Sequence, residues 1–372
     1  MPGIRAGDDE AHRTGTRGAC GGAGKKTTQV AFEQEREVTR VLEQIRAAGT
    51  PDLEAWEAAL RAAVLSRGAR DDLKVYAGIE VSPKDAERVA EHLGREMEAW
   101  QALQREAPDT ALPLLYIAYD GTGVPMTKKE LTGRKGKDGR AHTREAKLGC
   151  VFTQTATDAK GFPVRDPGST TFVGAIETAE PFGERIYREA VRRGLLHAQR
   201  VVVLGDGAEW IKTIADLHFP QATVIIDLYH AREHVAELCK NLFGTDEQQV
   251  RQQRIRWWTY LDQGKVEKIL VQAQQKLPHN AEARKKAEGE LHYLEKNKHR
   301  MRYAEFRAQG LFVGSGVVEA GCKTVIGQRL KQSGMEWSVR GANGTIALRC
   351  IMKSNRFEDY WESRASRFAP LS

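Results

Sequence analysis

The chain has 372 residues, 41% of them apolar, enough for two or three domains with a sizeable core. Lysine and arginine outnumber the acids 57 to 50, a net charge of +7, and where such charge clusters locally it points to a polyanion such as nucleic acid. No stretch approaches the run of about 18 apolar residues that spans a bilayer, no secretory signal opens the chain, and five scattered cysteines form no CxxC pair, so the expectation is a reduced, cytoplasmic protein with no membrane partner.

Residues 1–30 are rich in Gly, Arg and Thr and too poor in large apolar groups to offset ordering entropy; they are expected to form a disordered tail. Residues 31–105 carry a helical pattern. FEQEREVTRVLEQIRAAG and DLEAWEAALRAAVLSRG are amphipathic, and each ends at a glycine, Gly49 and Gly68. A turn at GIEVSP before a helix from Asp85 to Trp100 fits either a DNA-contacting helix-turn-helix or an ordinary helical hairpin.

The pattern then changes to strands. LPLLYIAYD, GCVFTQTA and TTFVGAI come first, followed by a helix over ERIYREAVRRG. RVVVLGDG, AEWIKTIADLHF, ATVIIDLYH and AREHVAELCKNLF then alternate strand and helix. This order describes a mixed α/β sheet with helices on it. Residues 244–309 read as charged helices. Within them, 283–302 are expected to form a solvated or DNA-facing helix, and a last helix runs from near Ser315 and closes by Gly334.

Three acids stand out. Asp120 ends one apolar strand ahead of Gly121-Thr122-Gly123, Asp206 ends another between two glycines, and Glu319 lies a turn into the helix after Gly314-Ser315-Gly316. Ionised carboxylates are costly to desolvate unless paired or metal-bound. Two at strand ends and one on a helix make a set of hard oxygen ligands suited to Mg²⁺ or Mn²⁺. Two such ions can serve phosphodiester chemistry. GDGAEW could instead open a dinucleotide-binding loop, but Trp210 stands where the third glycine belongs. Asp227 is a fourth candidate, in Asp227-x-x-His230-x-x-x-His234; it reads as a helix cap with structural histidines more readily than as a zinc motif, because Ala231 stands where HEXXH needs Glu.

Between the first two strands, MTKKELTGRKGKDGRAHTREAKLG reads as a mobile basic loop whose cations, among them Lys128, Lys129, Arg134, Lys135, Lys137 and Arg140, suit DNA phosphates. Arg329, Lys331 and Trp337 mix cations with an indole, fitting backbone contact plus stacking on an unpaired base; core packing of Trp337 fits equally.

YDGTGVPMTKKELTGRKGK, AHTREAKLGCVFTQT, GAIETAEPFG, GDGAEWIKTIADLHFP, IIDLYHAREH, the run from Arg300 to Met335 and WSVRGANGTIALRC together resemble Kra-type bacterial insertion-sequence transposases, over roughly Leu112 to Trp361. The resemblance implies the DDE class: a ribonuclease-H-like mixed sheet flanked by helices, with an all-helical insertion and a helical N-terminal region. It implies a catalytic core over 112–243, an insertion over 244–309 and the end of the core over 310–362. Asp120, Asp206 and Glu319 would be the catalytic acids and the ligands of two Mg²⁺ or Mn²⁺ ions. Asp227 and His230 would form a companion motif near them without being principal ligands. The implied activity is hydrolysis at element ends and 3′-OH transfer into target DNA, by a homo-oligomer on nucleoid DNA. The N-terminus departs from the family pattern, so a truncated, inactive copy that only binds DNA is the alternative expectation.

Overall fold

The computed structural model describes residues 83–104, 111–136, 139 and 141–368; the side chains of 83–87 and 365–368 are not described. The tail at 1–30, the two amphipathic helices after it and the turn at 78–82 lie outside these residues, as do Lys137 and Arg140. The chain divides into two compact units, Met1–Glu87 and Arg88–Ser372, and the second holds the sheet.

Five strands form that sheet: β1 (Leu115–Pro125), β2 (Thr143–Thr153), β5 (Thr171–Ala175), β6 (Val201–Gly205) and β7 (Thr223–Ile226), with β3 (Ala156–Thr157) and β4 (Pro163–Val164) forming a small hairpin apart from it. The order is β5-β2-β1-β6-β7. β1 pairs antiparallel with β2, and β2 with β5, while β6 and β7 run parallel to β1. Short connections suffice for the antiparallel strands, and helical crossovers carry the parallel ones. This is a ribonuclease-H-like mixed sheet.

Side chains alternate across a strand, so parity assigns each residue to a face. Leu115, Ile117, Tyr119 and Val203 point to one face. It is closed by α2 (Ala179–Arg192) and α3 (Glu209–His218), through Phe182, Ile186, Ile211 and Ile214. Tyr116, Ala118, Val202 and Leu204 point to the other. That face takes α4 (Leu228–Phe243) and then the insertion: α5 (Glu247–Asp262), α6 (Val266–Gln274), α7 (Ala281–Asn297) and α8 (Tyr303–Ala308). The insertion has its own apolar anchors, with Trp257, Leu261, Ile269 and Leu294 fully buried. Each such side chain contributes about 1.5–3 kcal/mol.

The same face takes α9 (Gly316–Gly321), which continues as a π-helical segment (Cys322–Gly327) and a last turn (Gln328–Leu330). The helix thus ends at Leu330, four residues short of Gly334. After it, α10 (Val339–Lys353) covers the open edge of β5. Asn343 Oδ1 accepts from Ile176 N at 2.7 Å and Ser354 Oγ accepts from Phe172 N at 2.8 Å. Two backbone donors of that edge are thereby satisfied. α1 (Pro83–Leu103) packs on α10 and α11 (Phe357–Phe368). A Cβ at Gly94 would lie 2.4 Å from Gly344 Cα, so both glycines are needed for the crossing. Trp100 packs edge-on to Tyr360 and donates to Ser363 Oγ at 3.1 Å.

Candidate active site

β1 and β6 pair up to Ala118 and Leu204, and β6 and β7 up to Gly205 and Ile226. Asp120, Asp206 and Asp227 therefore stand just past the carboxyl ends of three neighbouring parallel stretches. By parity Asp120 follows Ala118, and Asp206 follows Leu204, onto the face that carries α9. A one-residue slip in either strand would send its acid to the opposite face.

Asp120 does not end its strand, contrary to the sequence expectation. β1 runs on to Pro125 in register with β2, and Asp120 sits where the β6 neighbour stops. The glycines that follow it serve the pairing. A Cβ at Gly121 would meet Glu145 Oε1 at 2.4 Å, and one at Gly123 would meet Thr143 Oγ1 at 2.9 Å. Gly121 N donates to Asp120 Oδ1 at 2.7 Å, and the Cys322 thiol donates to Oδ2 at 3.7 Å. Burial raises the Asp120 pKa, and the negative charges of Asp206 and Glu319 raise it further. Asp206 and Glu319 thus each lie within electrostatic reach of Asp120.

Asp206 Oδ1 accepts from Ala208 N at 2.8 Å, closing a turn into α3. Its carbonyl accepts from the Tyr293 hydroxyl at 2.9 Å. Gly207 has φ +86°, a left-handed conformation that disfavours a side chain, and a Cβ there would lie 2.6 Å from Tyr293 Oη. The glycine after Asp206 therefore makes room for a tyrosine of the insertion, which lies 87 residues beyond Asp206 in sequence.

Asp227 is 2% exposed and caps α4, accepting from His230 N at 2.7 Å, as its sequence position suggests. It also accepts from Ser315 N at 2.5 Å and Ser315 Oγ at 3.0 Å. Ser315 Oγ lies 2.9 Å from Glu319 Oε1 and joins the buried cap to the third acid. His230 Nε2 lies 3.2 Å from His234 Nε2, and His234 Nδ1 lies 2.6 Å from Glu290 Oε2. The His234 ring stacks on Tyr293 with centroids 3.6 Å apart. The histidines thus bind α4 to the insertion helix α7.

Among the described residues no group of three or more His, Cys, Asp or Glu side chains stands ready to hold a metal ion. One oxygen of each acid is turned to a local donor: Gly121 N, Ala208 N and Ser315 Oγ. The chemistry of the donor set nevertheless fits a hard divalent cation. The groups are all carboxylates, and the repulsion that raises the Asp120 pKa is what a cation between them would relieve.

The basic residues divide. Lys128 and Lys129 lie exposed in a 3₁₀ turn, and Arg134 and Lys135 are exposed after it. The loop is shorter than its sequence suggested, because Arg144 and Lys147 belong to β2. Lys147 is buried, pairs with Glu145 at 2.5 Å and lies 4.9 Å over the Trp210 ring. Lys331 bonds Thr122, two residues beyond Asp120. Arg329 is half-buried over the Trp337 ring at 5.4 Å. The Trp337 indole donates to Leu330 O at 3.1 Å, and its backbone bonds Pro125 O and Thr127 N. Of the two sequence readings of Trp337, packing prevails: it staples the end of the α9 run to the end of β1, and Arg329 occupies one ring face.

Tyr293, Ser315, Cys322 and the His234–Glu290 pair escaped the sequence reading as site components. The helix over 283–302, expected to be solvated or DNA-facing, is instead packed along one side, where Ala287, Leu291 and Leu294 of α7 are buried.

No family model and no curated protein matches the chain. Among solved structures, a Drosophila P element transposase strand transfer complex matches over 92% of this chain and 88% of that one, at 10% identity and a TM-score of 0.31. A likeness that distant carries no argument, so the chain's own residues must. No helix among the described residues is long and apolar enough to cross a membrane.

Proposed function

We propose that the chain is a DNA transposase of the DDE class. The observation that carries this reading is the convergence of Asp120, Asp206 and Glu319 on one face of a ribonuclease-H-like sheet, close enough for Asp206 and Glu319 to raise the Asp120 pKa. The likeness of its motifs to Kra-type insertion-sequence transposases supports the same reading. The three acids would hold Mg²⁺ or Mn²⁺. When bound, the ions supply Lewis acidity and charge neutralisation at the scissile phosphate.

The protein's own groups do the rest. Asp227 and Ser315 orient Glu319, while Tyr293 and the Ala208 amide fix the Asp206 turn. Lys128, Lys129, Arg134, Lys135 and Lys331 neutralise DNA phosphates, with Lys137 and Arg140 from the same basic segment. Water attacks phosphorus at the element end; the new P–O bond forms as the bond to the 3′ oxygen breaks, and that oxygen leaves as a 3′-OH. The 3′-OH then attacks a target phosphodiester, and the target's own 3′ oxygen leaves. A homo-oligomer holding two element ends would carry out both steps.

A DNA-binding protein without catalysis is the second reading, favoured by the lack of a preformed metal-ligating group among the described residues. Incubating the full chain with Mg²⁺ and a plasmid carrying its reading frame and flanking DNA separates the two. The transposase reading expects nicks at the element ends, lost in Asp120→Asn and Asp206→Asn with DNA binding kept. Binding without nicking by the unaltered chain supports the second reading.

A further inference from the structure

Tyr229 is the residue after Leu228 in the first turn of α4, and its side chain is 65% exposed. It stands two residues from buried Asp227. A Cβ at Gly314 would touch both Asp227 Oδ2 (3.6 Å) and the Tyr229 ring (3.8 Å). The next residue, Ser315, bonds both Asp227 and Glu319. The exposed ring therefore stands beside the acidic site, next to the Gly314-Ser315 segment that bonds its acids.

The ring is also backed by cations. Arg232 lies 5.7 Å from the Tyr229 centroid and 5.6 Å from that of Trp258, and Arg254 lies 5.1 Å from Trp258. Arg232 is fixed by Asp262 at 2.6 Å, and the Trp258 indole donates to Arg232 O at 3.0 Å. Aromatic and guanidinium groups thus alternate away from the acids, with the Tyr229 ring exposed at the inner end and Trp258 partly buried against the core. Such alternation suits a nucleic acid strand: the ring stacks on a base and the guanidinium attracts the phosphate. Trp337, the stacking candidate in the sequence, has no comparably open ring.

We propose that Tyr229, backed by Arg232, stacks against an unpaired base of the DNA strand held at the acidic site. This rests on the transposase reading and adds to it a preference for DNA that is locally single-stranded beside the scissile phosphate. Opening the duplex there would let a phosphodiester approach acids set at the ends of strands.

The test is anisotropy binding of the full chain, in EDTA so that no cleavage intervenes. The probes are a fully paired 30-mer, the same duplex with a short 3′ overhang, a dT12 strand and a dT12 strand with abasic sites. Tyr229→Ala is expected to weaken binding of the overhang and of dT12 by on the order of tenfold, and the paired duplex by less than about twofold. Tyr229→Phe should keep both affinities, and the unaltered chain should bind abasic dT12 as weakly as Tyr229→Ala binds dT12. Unchanged overhang and dT12 binding in Tyr229→Ala, or an equal loss on paired duplex, overturns the proposal. Because Tyr229 is exposed, the variant should melt like the parent, which excludes misfolding as the cause of a loss. Failure here with Mg²⁺-dependent nicking intact removes this inference alone; failure to bind any of the probes removes the transposase reading with it.

Discussion

The two faces of the sheet are built from the same five strands to different ends. The face under α2 and α3 is an apolar seam of Leu115, Ile117, Val203, Phe182, Ile186 and Ile214. Its Tyr119 hydroxyl is satisfied by Ile211 O at 3.0 Å. The opposite face also buries apolar side chains but admits carboxylates. It surrounds them with donors from distant segments: Ser315 on Asp227, Tyr293 on the Asp206 carbonyl, Cys322 on Asp120. The first face is chiefly apolar; the second buries carboxylates, which is tolerable only with partners.

Substitutions can break this contrast. The largest expected effect is on the acidic face, where Asp120→Asn or Asp206→Asn should take Mg²⁺-dependent nicking below detection while gel-shift DNA binding stays within about twofold. On the closed face Phe182→Ala should do the reverse. It should cost roughly 3–5 kcal/mol in urea unfolding, and the molecules that remain folded should nick at the parental rate.

Asp227→Ala joins the two effects. Losing a buried cap and leaving Ser315 N unpaired should cost about 2–4 kcal/mol, and nicking should fall as Glu319 loses its anchor. Tyr293→Phe is subtler. One hydrogen bond is worth about 0.5–1.5 kcal/mol, but nicking should drop roughly tenfold, because the hydroxyl holds the turn that presents Asp206.

The smallest effect runs the other way. The Asp120 pKa is raised in the folded, cation-free protein, so between the ordinary carboxylate value and the raised one the folded state binds more protons than the unfolded. Stability therefore falls as pH rises through that window. In EDTA at neutral pH, Asp120→Asn should melt slightly higher than the parent, and the difference should vanish as pH falls toward about 4. A lower melting temperature at neutral pH would show that the charge is not strained.

Much of this was legible in local sequence. Apolar runs gave the strands, Asp120 and Asp206 stood out by position, and Asp227 read as the cap it is. What failed had long-range causes. Gly207 gave no local sign that it accommodates Tyr293 from the insertion. Gly121 and Gly123 looked like a strand end but admit side chains of β2. Lys147 looked like a loop cation, yet its stem is buried beside Trp210. No short window carries such contacts, because the partner lies on another element. Ser315 was the exception within reach, since a serine between glycines just before a helix invites the question of what it caps.

The most direct measurement of the central claim is a Mn²⁺ titration of the full chain followed by calorimetry, with flanking DNA bound. The parent and Tyr119→Phe, altered on the closed face, should take up Mn²⁺ alike, whereas Asp120→Asn and Asp206→Asn should lose the binding heat. Equal Mn²⁺ uptake by Asp120→Asn and the parent would contradict the account.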